Sequence, residues 1–249
     1  MSGHSKWATI KRKKAATDSA RGRLFTRLIK EITIAARDGG GNPDGNPRLR
    51  LAIQIAKEAN MPADNIKRAI QKGTGELPGV SYEEVTYEGY GPVGVAVLVE
   101  VVTDNKNRTV SEMRHVFSRN HGNLGESGSV AWMFQKKGTI VIPKSRVTED
   151  DLLAIILDAG ADDMQTDEEA FTVTTLPQAF DTVKKALEDK GVTIESASLQ
   201  KVAQNTIKVT GKDAEHTLKL LEALEEHDDV QNVYSNFDID EKELASLNG

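Results

Sequence analysis

Cysteine is absent from the 249 residues. That excludes a disulfide framework, a thiolate nucleophile, a Cys-ligated zinc site and an iron–sulfur cluster, and it fits a reducing cytoplasm. Long apolar runs are also missing: none approaches the ~20 residues of a membrane span. The opening MSGHSKWATIKRKK is charged but has no apolar core segment, so it does not read as a signal peptide. Histidine is scarce and scattered (His4, His115, His121, His216, His227), with no H-E-x-x-H pair. What remains is an ordinary polar soluble composition, 38% hydrophobic and 28% charged. Its length suits two or three domains.

The formal net charge of −6 conceals a polarised chain. Residues 1–75 hold sixteen Lys/Arg against six Asp/Glu, and residues 76–249 hold sixteen against thirty-two. A head of net charge +10 on a body of −16 presents one end to a polyanion and repels it from the other.

Periodicity divides the chain further. Residues 1–20 read as a basic arm and residues 21–76 as a helical bundle. The first helix, about 19–38, places Leu24, Phe25, Leu28, Ile29, Ile32 and Ala35 on one face. Gly39–Gly41 ends it. Asn46 as N-cap and Pro47 at the first position open a second helix, to about Asn60. A third covers about 63–72. From Tyr82 the pattern becomes mixed. Strands are expected at 82–88, 93–102 and 129–135, with a helix at 107–119. Residues 138–203 spell βαββαβ, the order of a ferredoxin-like unit. A strand (206–210), a helix (213–227) and a last strand (230–237) follow. The expected architecture is α+β and multidomain: a three-helix bundle followed by two ferredoxin-like α/β sandwiches. Residues 77–137 and 204–240 would form one discontinuous domain, and 138–203 would be inserted into it.

Catalytic signals are weak. Gly125-Glu126-Ser127-Gly128-Ser129 lacks the spacing of a nucleophile elbow and no strand precedes it. Gly122, Gly125 and Gly128 follow a helix, whereas phosphate fingerprints follow a strand and open a helix. The acidic runs at 162–163, 167–169 and 225–229 lack calcium-loop spacing and read as solvated surface. No catalytic residue, metal or cofactor is expected.

Phosphate contacts are the stronger reading. Lys6, Lys11, Arg12, Lys13 and Lys14 cluster in the arm, and Arg21, Arg23, Arg27 and Lys30 follow on the first helix. Clustered cations bind phosphate backbones through counterion release. Trp7 sits among them, with two readings open: its indole stacks on an unpaired base, or it packs on the first bundle helix. Lys67 and Arg68 lie on the third helix. The bundle suggests a helix-turn-helix, but that helix offers only Asn65 and Gln71 as amide readers. Backbone or shape recognition is therefore expected over a base code.

Several segments resemble the YebC/PmpR family. They are Gly3-His4-Ser5-Lys6-Trp7 with Ile10-Lys11; Asn60-Met61-Pro62 with Asp64-Asn65-Ile66 and Arg68-Ala69-Ile70; Tyr87-Glu88-Gly89-Tyr90-Gly91-Pro92; Thr103-Asp104-Asn105-Lys106-Asn107-Arg108-Thr109; and Gly128-Ser129-Val130. The resemblance runs from residue 3 to about 138, and the family's Gly-Gly-x-Asp-Pro appears as Gly40-Gly41-Asn42-Pro43-Asp44. It implies a three-domain cytoplasmic protein without known catalytic activity. Members are described as DNA-binding transcriptional regulators. Others look like ribosome-associated translation factors that relieve stalling at sequences such as proline runs. The partner expected is therefore nucleic acid, either DNA or ribosomal or transfer RNA, with the ribosome a further candidate. A membrane is not expected, and the chain is expected to be a monomer. A ligand-sensing α/β module is the third reading.

Overall fold

The computed structural model describes residues 18–167 and 169–247. Three helices come first: α1 (Asp18–Gly39), α2 (Pro47–Glu58) and α3 (Ala63–Gly73). Their apolar stripes meet in one core of Leu28, Ile32, Ala35, Leu49, Ala52, Ala56, Met61, Ile66 and Ala69. Asn46 does more than cap α2. Its Oδ1 accepts from Leu49 N–H at 3.0 Å, while Nδ2 donates to the Ala35 and Gly40 carbonyls at 2.7 and 2.9 Å. One buried amide therefore closes α1 and opens α2. Gly73 lets α3 approach α1: a Cβ there would lie 2.3 Å from the Thr33 carbonyl oxygen.

Next come β1 (Glu83–Tyr90), β2 (Ala96–Thr103), α4 (Lys106–Arg119), β3 (Asn123–Leu124), β4 (Phe134–Pro143), α5 (Glu149–Ala159), β5 (Asp163–Thr166), β6 (Ala170–Thr175), α6 (Phe180–Asp189), β7 (Ser196–Ala203) and β8 (Ile207–Lys208). The chain closes with α7 (Gly211–Glu225), β9 (Val230–Ser235), β10 (Phe237–Asp238) and α8 (Glu241–Leu247). Two compact units emerge. One holds the described residues before Val130 together with Thr210–Val233; the other holds Val130–Val209 and the stretch from Tyr234.

In the first unit the sheet order is β3-β1-β2-β9, with β1 and β2 an antiparallel hairpin from Glu83↔Thr103 to Tyr90↔Ala96. Every β2 residue except Glu100 is buried, as its almost unbroken apolar run requires. In the second unit β4-α5-β5-β6-α6-β7 forms a sheet of order β5-β6-β4-β7, all antiparallel. This is the ferredoxin-like order. Its core joins Ile140, Ile142, Phe171 and Val173 of the sheet to Leu152, Ile156, Val183 and Leu187 of the helices. The fold class is the mixed helical and sheet architecture read from the pattern.

Some strand boundaries differ from expectation. Residues 131–133 form a 3-10 turn, and the strand expected at 129–135 merges into β4. The strand expected at 206–210 shrinks to β8, which pairs in parallel with β10 (Ile207↔Phe237). The last expected strand breaks at Asn236, whose carbonyl accepts from Ile207 N–H at 2.8 Å.

Because β9 joins the sheet of β1–β3 across the segment that carries β4–β8, we propose the insertion of 138–203 as the domain division. Limited proteolysis should release a resistant fragment close to 138–203. Persistent cleavage inside that segment would argue for three domains in a row.

Candidate nucleic-acid interface

Lys6, Trp7, Lys11, Arg12, Lys13 and Lys14 lie outside the described residues. The cations on α1 are described, and most have intramolecular partners. Lys30 is a correction to the expected set. It is 6% exposed, and its Nζ lies 2.6 Å from Asp229 Oδ1 while donating to the Val102 and Asp228 carbonyls at 3.2 and 2.9 Å. A buried ammonium with three acceptors has no donor left for a phosphate. The Arg27 guanidinium donates to the Glu225 carbonyl. Burial lowers its pKa against the opposing pull of Glu225. Arg23 reaches Glu226 at 3.8 Å. The face of α1 expected to meet nucleic acid is thus set against residues 225–229. Arg21, two residues before Arg23, is exposed.

Residues 225–229 are accordingly not a simple solvated run. Asp229 is 4% exposed and accepts from Lys30, from Arg108 at 2.7 Å and from the Thr109 hydroxyl at 2.8 Å. Burial would push its carboxyl up, but the hydrogen bonds from Lys30, Arg108 and Thr109 outweigh that and hold it far below the usual range. Glu112, His227 and Asp229 stand close enough to suggest a metal site. Their chemistry argues otherwise. Two cations already neutralise Asp229. The His227 Nδ1 accepts from Asp229 N–H at 3.1 Å, and its Nε2 faces Glu112 at 3.0 Å. Both ring nitrogens are therefore occupied.

The available positive charge lies elsewhere on the bundle. Lys67 and Arg68, both expected site residues, are exposed on α3, and Lys72 is exposed one turn beyond Arg68. Positions four apart share a helix face, so Arg68 and Lys72 point the same way. On α2, Arg50 and Lys57 are exposed and seven residues apart, which aligns them two turns and about 10 Å along one face. None of these five forms an ion pair with a described residue. By contrast, Arg48 on α2 is fully engaged, bridging Glu31 (2.7 Å) and Glu84 (2.6 Å). Arg50 and Lys57 are exposed cations outside the set expected from the sequence. The signal that would have found them was the helical phase of α2, which puts Leu49, Ala52 and Ala56 inward and these two outward. Asn65 and Gln71, the only amide readers on α3, are half-buried. The exposed cations of the helix are of the kind that contacts phosphates and carries no base code.

The glycine loop after α4 is closed by the protein's own carboxylate. Glu88, 5% exposed, accepts from Gly128 N–H at 2.6 Å with its side chain and from Gly125 N–H at 2.8 Å with its backbone carbonyl. Those amides are not offered to a phosphate.

This combination defines a class before it defines a family: a helical bundle with an outward cationic surface, carried on α/β sandwich architecture. Two family models match, the TACO1/YebC N-terminal domain over residues 5–76 and the TACO1/YebC second and third domain over residues 82–237. The chain belongs to the TACO1/YebC family. A curated protein from Solibacter usitatus, named "Probable transcriptional regulatory protein", is 62% identical over 247 residues, 99% of each chain. One of the same name from Chlorobium chlorochromatii is 58% identical over 248 residues, again 99% of each. Among solved structures, a conserved hypothetical protein of Aquifex aeolicus aligns with a TM-score of 0.78 and 51% identity, covering 90% of this chain and 93% of that one. Among the described residues, no helix is long and apolar enough to cross a membrane.

Proposed function

We propose that this protein is a non-enzymatic, cytoplasmic regulator of gene expression that binds nucleic acid as a monomer, chiefly through phosphates. The observation that carries the reading is the set of exposed cations on α2 and α3 (Arg50, Lys57, Lys67, Arg68 and Lys72), none of them ion-paired with a described residue. The basic arm, Lys11 to Lys14 above all, adds further cations to the N-terminal part of the sequence. The names of the relatives favour DNA and transcription. The half-buried state of Asn65 and Gln71 favours the second reading, a ribosome-associated factor on structured RNA, because a groove reader needs its amides presented to base edges.

Affinity should fall steeply with salt on every nucleic acid tested. Four to six engaged phosphates correspond to a log–log slope of about −3 to −5. Titration of one duplex DNA, one single-stranded RNA and one structured RNA across a salt series checks this. Sucrose-gradient fractionation at low and high salt separates the two readings, since a ribosomal factor co-sediments with ribosomes at low salt only. A shallow slope with preference for one duplex sequence, lost on changing Asn65 or Gln71, would establish base readout instead.

A further inference from the structure

A second basic site lies in the ferredoxin-like unit, away from the helical bundle in sequence and independent of the reading above. A cavity of about 740 Å³ opens between the 144–148 loop, the first turns of α5 and the 190–192 segment after α6. That volume falls within the range of small-molecule sites, roughly 300–1,000 Å³. Lys144, Arg146 and Lys190 line it, and none is in an ion pair with a described residue. Val147 and Ile155 supply an apolar wall. Lys144 is steadied by its ammonium lying 5.6 Å from the centre of the Phe171 ring. One carboxylate also faces the cavity: Asp151, held by the Thr148 hydroxyl at 2.6 Å.

We propose that this cavity binds a nucleoside phosphate. Three cations against one carboxylate leave a net positive lining on a body that is otherwise strongly acidic, so the ligand carries more than one negative charge. A phosphate or pyrophosphate satisfies that requirement, and bidentate Arg146 suits its geometry. The volume is too large for a phosphate alone. The apolar wall accommodates a flat, weakly polar group, and Asp151 is an acceptor for sugar hydroxyls, the role carboxylates play toward ribose in dinucleotide sites. A purely anionic metabolite would find Asp151 repulsive; a ribose-bearing one finds it useful. The same chemistry has two sources, a free nucleotide or a nucleotide within an RNA chain.

Titration calorimetry of the full-length protein with adenosine 5′-diphosphate, with inorganic pyrophosphate as the sugar-free probe, tests the proposal. One site per chain is expected, tighter for the nucleotide. The Arg146→Gln/Lys190→Gln double variant should weaken it at least tenfold with an unchanged melting temperature. Lys144 is left intact because it packs on Phe171. A Lys136→Gln/Lys208→Gln control, which removes two exposed cations elsewhere in the same unit, should leave binding unchanged. If the mononucleotide does not bind at millimolar concentration, a short single-stranded RNA is titrated instead. A loss of affinity confined to the Arg146/Lys190 variant then assigns the site to nucleotides of a polymer. If neither ligand depends on Arg146 and Lys190, or the control weakens binding equally, the site is refuted. A failure of the bundle surface to bind nucleic acid would leave the mononucleotide result untouched.

Discussion

Asp229→Ala should be the most destabilising single substitution away from the hydrophobic cores, costing about 3–5 kcal/mol. The residue is almost completely buried and balances Lys30, which is itself buried; its removal strands an ammonium with no counter-charge. For a chain of this size, the melting temperature should fall by roughly 6–20 °C. The double variant Lys30→Met/Asp229→Leu separates charge balance from packing. With both charges gone the desolvation penalty disappears, and most of the lost stability should return. A double variant as unstable as Asp229→Ala would mean that the site depends on shape and not on the ion pair.

The same site sets a pH dependence. The Asp229 carboxyl is held far below its unfolded value by Lys30, Arg108 and Thr109 despite burial. A group depressed in the folded state contributes stability that is fully present above its unfolded pKa, near 4. That contribution is lost as pH falls through the folded value. Thermal melts from pH 7 to pH 3 should show the unmodified protein losing more stability below about pH 4 than Lys30→Met/Asp229→Leu does.

The second large effect is on binding. The triple variant Lys67→Gln/Arg68→Gln/Lys72→Gln should keep its helical circular dichroism, since all three side chains are exposed. Its log–log salt slope should flatten by about 2 to 3 units, with affinity lost alike on all sequences. Lys11–Lys14→Ala should flatten the slope by a comparable amount. An unchanged slope in the triple variant would remove α3 from the interface and leave the arm as the binding element.

Much of the fold was legible because local chemistry agreed with tertiary packing. Asn46-Pro47 announced the start of α2, and the structure places the Asn46 side chain on Leu49 N–H. The order of strands and helices in 138–203 specified a ferredoxin-like unit, and the sheet follows that order. Short strands were read poorly. β8 and β10 have two residues each, too few to display alternation, and they exist because each finds the other.

The candidate site divides along the same line. Sequence alone determined that the chain is basic at one end and acidic in its body, that three amphipathic helices precede the sheets, and that no thiol chemistry is available. Charge and periodicity are properties of residues in order, and order is what a sequence records. Only tertiary structure decided which cations are free. Lys30 and Lys67 look alike as letters on helices, yet Lys30 lies 2.6 Å from an aspartate 199 positions away, and Lys67 faces outward without an ion-pair partner among the described residues. A lysine's availability depends on what packs against it, and that is settled by contacts between segments remote in the chain, which no local pattern encodes.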